Sequence, residues 1–94
     1  MNRRQAIEEI DELIEHAQEL SKDICDGHYD KAGDLSYAVG LGHLLDHLSR
    51  AWHFAQMTDE EIDNLSQAEF EKLTYSIPKL NGNHKLVELH EKVV

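Results

Sequence analysis

The chain has one cysteine and one proline. With Cys25 alone, no intrachain disulfide can form, and a reducing, cytoplasmic setting is the simpler expectation. With proline confined to Pro78, everything before it is free of the residue that most strongly breaks helices. Aromatic residues are scarce at 6%. No apolar run is long enough to cross a bilayer. The first residues, "MNRRQAIEEIDELIEH", break their apolar positions with acids, so no secretory signal is expected there either.

Bases are few as well. Nine Lys and Arg stand against 19 Asp and Glu, for a formal charge of −10. That balance repels nucleic-acid phosphates and anionic membrane surfaces, and it favours basic partners or plain solubility. Seven histidines, each gaining one charge on protonation, would carry −10 to −3. Mild acid should therefore promote self-association, because imidazole titrates near pH 6.5.

What the chain does have is helical periodicity. A length of 94 residues suits a single domain over 1–94 with one core. From Arg3 to Cys25 the apolar positions Ala6, Ile7, Ile10, Leu13, Ile14, Ala17, Leu20 and Ile24 fall on one side of a helix, and Glu8, Glu12, Glu15 and Glu19 on the other. Gly27 in "CDGHYD" is the expected stop. A second helix, capped by Asp30 or Asp34, is expected to reach Met57, with Gly40 and Gly42 marking a bend or a close helix approach. "TDEE" from Thr58 and "SQAE" from Ser66 both fit the capping box and predict two further helix starts. The first opens a short segment carrying Ile62 and Leu65. The second runs to about Ser76, with Phe70, Leu73 and Ile77 inward and Pro78 ending it. "NGN" reads as a turn compatible with a hairpin, although Leu86, Leu89 and Val93 recur at helical spacing and favour a helix after it. The expected fold is all-α: a small bundle or irregular array of four principal helices with a short fifth.

The stretch "GHLLDHLSRAWHF", Gly42 to Phe54, concentrates the chemistry. On a helical wheel Leu41, Leu44, Leu45, Leu48, Ala51, Trp52 and Ala55 form the apolar stripe, which predicts that the leucines face the interior. His43, Asp46, Arg50 and His53 lie opposite, with His47 at the flank. Imidazole and carboxylate three and four residues apart can aim at one ion, so His43, Asp46 and His47 are candidate ligands for a divalent transition metal such as zinc. A third protein ligand from another helix would be required, and His16, His28, His84 and His90 are available. Ordinary solvation or hydrogen bonding of these histidines is the simpler expectation, with no cofactor and no catalytic residue. Phe54 and Met57 fall on the nominally polar side, where they pack beneath the Ile62 and Leu65 segment or form a partner surface. Trp52 is expected in the core, its indole N–H finding an acceptor at an edge. Cys25, flanked by Asp23 and Asp26, is not electropositive enough for a nucleophile.

Two functions from different classes follow. The leading one is a non-enzymatic protein-interaction module, homodimeric in one version, using Phe54 and Met57 or the acidic side of the first helix at Glu8, Glu12, Glu15 and Glu19. The alternative is a metal-binding protein or metal-dependent hydrolase built on His43, Asp46 and His47.

Overall fold

A computed structural model of the chain describes residues 1–31 and 35–77, and the backbone of 79–80 and 86–87. Its elements are α1 (Arg3–Cys25), α2 (Leu35–Phe54), α3 (Asp59–Asp63) and α4 (Gln67–Thr74), followed by β1 (Lys79–Leu80) and β2 (Leu86–Val87). The architecture is a small all-α array, as the periodicity predicts.

Each helix boundary has a local cause. The Asn2 side chain caps α1 by accepting from the Gln5 amide. At the other end the His28 amide donates to the Asp23 carbonyl and the Gly27 amide to that of Ile24. That paired pattern needs a left-handed residue at its centre, and Gly27 supplies it with φ 79°. Thr58 and Glu61 close one complete capping box, and Ser66 and Glu69 close another, so both predicted helix starts are real. The α2 cap proposed at Asp34 lies outside the described residues.

Helices α1 and α2 pack as an antiparallel hairpin. The Asn2 amide donates to the Ala55 carbonyl at one end, 2.7 Å away. Toward the other end Gly40 sits against Leu20. Helix α4 then packs on α2, with Phe54 and Phe70 ring centroids 6.1 Å apart. After Pro78, Lys79 pairs with Val87 and Leu80 with Leu86 in antiparallel register. A strand at Leu86–Val87 therefore stands where a helix was expected around Leu86, and the turn expected at Asn81–Asn83 lies outside the described residues. Leu89 and Val93 lie outside the described residues.

The rotation of α2 differs from the helical-wheel expectation. Leu41, Leu45 and Leu48 are 39%, 46% and 38% exposed, whereas Ser49 is fully buried. Side-chain exposure of His47 and Arg50 is only 14% each. Two seams explain this. The face of α2 turned to α1 carries Gly40, Leu44, His47, Ala51 and Phe54, at alternating spacings of four and three. Adding one residue to most of these gives a second seam of Leu41, Leu45, Leu48 and Trp52. Helix α1 repeats the arrangement, with Ala6, Glu9, Leu13, His16 and Leu20 toward α2, and Ile7, Ile10, Ile14 and Ala17 one position on, in a seam that Ile24 continues seven residues after Ala17. In an antiparallel pair, a step of about 100° in each chain direction turns both displaced seams to the same side. The hairpin thus spends its half-polar seams internally and leaves its most apolar pair outward.

Buried apolar residues among those described are consequently few: Leu20, Phe54 and Ala55. Phe54, expected either in the core or on a partner surface, is core. Trp52 is half-buried, but its indole nitrogen is buried without the expected acceptor among the described residues.

Candidate metal centre and the junction of α1 with α2

The polar residues of the internal seams meet midway along the hairpin. Glu9 of α1 accepts two hydrogen bonds from Arg50 Nε, at 2.9 and 3.0 Å to its two oxygens. His47 Nδ1 lies 2.9 Å from the same carboxylate. Arg50 Nη2 lies 3.1 Å from the same Nδ1, which therefore stands between an acceptor and a donor; in the tautomer that donates Nδ1–H to Glu9, the ring's free lone pair is on Nε2. The side chain of Glu9 is only 12% exposed, so the group is largely withdrawn from water. An ion pair in such a place gives little net stability over an apolar pair, although removing one partner alone is costly.

Arg50 also ties α4 to this junction. It donates to Thr74 Oγ1 at 3.2 Å and lies 5.4 Å from the centre of the Phe70 ring. One residue earlier the buried Ser49 hydroxyl is directed at the carbonyls of Leu73 and Ser76. His53 Nε2 meets the Ser76 carbonyl at 2.8 Å, which makes that nitrogen the donor. Helix α2 thereby satisfies the carbonyls released where α4 ends, which otherwise lack partners.

His16 packs alongside His47, with ring centroids 5.1 Å apart and planes 18° from parallel. Its Nε2 is 3.7 Å from Glu12 Oε2, and its Nδ1 is 3.8 Å from Glu19 Oε2. Among the described residues, Glu12, His16 and His47 form a set of metal-ligand side chains whose donor atoms all lie within 4.8 Å of one another. Beside them is an open hollow of about 730 Å³ lined by Glu8, Glu9, Asp11, Glu12, His47, Arg50 and Phe70.

Of the predicted ligands, His47 alone enters that set. His43 is exposed and meets His16 edge to face at 5.9 Å. Asp46 is half-buried and stands apart from the set. The acidic residues proposed for partner binding divide by role: Glu8 pairs with Arg4, Glu12 and Glu19 flank His16, and Glu15 is exposed. Met57 is half-buried and borders a second hollow with Met1, Asn2 and Thr58. Glu9 escaped the sequence reading, and His16 entered it only as one of four histidines that could supply the third ligand. Their signal was present, since a glutamate and a histidine seven residues apart, flanking Leu13 in the same seam, occupy positions otherwise suited to apolar side chains.

No helix among the described residues is long and apolar enough to cross a membrane. Comparison of the chain with family models, with curated proteins and with solved structures gave no match.

Proposed function

We propose that the protein is a protein-interaction module whose partner is a second copy of itself, docked through the outward seams of α1 and α2. The observation that carries this reading is the exposure of Ile7, Ile10, Ile14 and Ile24 together with Leu41, Leu45 and Leu48, between 38% and 57% each, on one side of the hairpin. Those seven side chains expose on the order of 600 Å² of apolar surface, the upper end of what a monomer tolerates as a patch. Two copies face to face would remove about 1,200 Å², which reaches the range of stable interfaces.

A second copy suits the surface better than an unrelated partner for two reasons. Each hairpin offers two parallel seams with coiled-coil spacing, so two hairpins related by a two-fold axis supply the four seams that a four-helix bundle needs. The acid run Glu8, Glu12, Glu15 and Glu19 lies one position before the internal seam, and therefore on the opposite side of α1. The chain's negative charge is thus held away from the contact.

Sedimentation equilibrium tests the reading. A species of twice 10.8 kDa is expected at micromolar concentration. Ile10→Asp and Leu45→Asp should each reduce it to a monomer with lowered helicity, whereas Glu15→Lys should leave it intact. A wild-type chain that stays a monomer with full helicity across a thousandfold concentration range would overturn the proposal.

A further inference from the structure

We infer that Glu12, His16 and His47 form a binding site for one divalent transition-metal ion of the zinc type, placed where α1 crosses α2. Two imidazoles and a carboxylate are a donor set that zinc takes when it keeps a fourth position open. Donor atoms sharing a tetrahedral ion at about 2.0 to 2.1 Å stand about 3.3 Å from each other. His16 Nε2 and Glu12 Oε2 are already 3.7 Å apart without an ion.

The surroundings of these side chains argue further than their proximity. Metal-binding imidazoles characteristically donate their other N–H to a carboxylate, which fixes the tautomer and raises the basicity of the ligating nitrogen. His47 has Glu9 2.9 Å from its Nδ1, while Glu19 lies 3.8 Å from His16 Nδ1, close by but beyond hydrogen-bond distance. In its Nδ1–H tautomer His47 has Nε2 as the available ligand atom. Glu9 is itself clamped by Arg50 through both oxygens. A buried Arg–Glu–His chain gives a helix interface little stability that apolar side chains would not. Orienting the His47 ring toward an ion is a role that apolar side chains cannot fill.

The near-parallel rings must turn for both lone pairs to meet. His16, with its side chain 34% exposed, has the freedom to do so, and Glu12 at 56% follows. The fourth position of the ion then faces solvent beside the hollow lined by Glu8, Glu9 and Asp11.

The test is a titration of the reduced, chelator-stripped full chain with zinc chloride, read by calorimetry, and with cobalt chloride, read by visible absorption. One ion per chain is expected, with the intense visible bands of four-coordinate cobalt. His16→Ala and Glu12→Gln, both near the solvent edge, should each weaken binding at least tenfold while the circular dichroism spectrum stays unchanged. Glu9→Gln should weaken it by about tenfold through the loss of ring orientation. His43→Ala, Asp46→Asn and His28→Ala should change affinity less than threefold. Binding that is absent, that survives in the His16→Ala and Glu12→Gln variants, or that depends instead on His43 and Asp46 would overturn the assignment.

Discussion

Gly40 of α2 lies so close to Leu20 of α1 that a Cβ at Gly40 would come within 2.8 Å of the leucine Cδ1. The absent side chain lets the helices approach at this end of the hairpin. Gly40→Ala gains about 1 kcal/mol of helix propensity but overpacks a buried leucine, which costs about 1 to 3 kcal/mol. A small net loss is expected, and Gly40→Leu should lose several times more. Gly42, with nothing within 4 Å of its would-be Cβ, behaves oppositely. Gly42→Ala should gain about 1 kcal/mol, visible as a rise in Tm of about 4 to 8 °C.

Breaking the Glu9–Arg50 pair from one side should be costly. Glu9→Ala leaves a guanidinium that is only 14% exposed without its carboxylate, and a loss of about 3 kcal/mol is expected in urea unfolding. Replacing both, as Glu9→Leu with Arg50→Met, should recover most of that loss. A double variant as unstable as the single one would show that the pair itself sustains the hairpin.

Ser49 is fully buried, and its hydroxyl serves the carbonyls of Leu73 and Ser76. Ser49→Ala should cost about 1 to 3 kcal/mol, because the carbonyls stay buried and lose a donor. Hydrogen exchange should then rise in α4 before it rises in α1.

Acid should loosen the α1 start and the α3 and α4 starts together. Hydrogen bonds from the Thr58 and Ser66 amides hold Glu61 and Glu69 below their ordinary value of 4.5. Hydrogen bonds from Asn2 and Arg4 hold Asp59 below 3.8. Each lowered carboxyl stabilises the fold above its unfolded-state pKa, and that contribution disappears as the pH falls through the folded-state value. Thermal melts should therefore lose stability below about pH 4.5. Glu61→Gln with Glu69→Gln, which caps without titrating, should flatten that acid limb.

How far the residues announce the structure depends on what kind of information each element needs. The first helix was legible to its end residues, since its apolar spacing, Gly27 and the terminal amides are all local. The capping boxes at Thr58 and Ser66 were equally plain, because both partners of each bond sit within three residues. His47 was recognised as a candidate ligand and His16 as one of four histidines that could join it, but spacing could not choose among them, and Glu9, 38 positions from His47, was not recognised. The helical wheel of α2 ranked faces by hydropathy and so sent Leu41, Leu45 and Leu48 inward.

The sequence by itself determined α1, the ends set at Gly27, Thr58 and Ser66, and the two adjacent seams that each long helix carries, since these follow from 3.6 residues per turn and from hydrogen bonds between near neighbours. Only the tertiary structure decided which seam faces which. Within one chain α1 and α2 bury the pair holding Gly40, Glu9, His16 and His47, because a small residue permits close approach and opposite charges meet across it. That choice leaves the stronger apolar pair outward and brings Glu12, His16 and His47 together, an outcome no property of either helix alone contains.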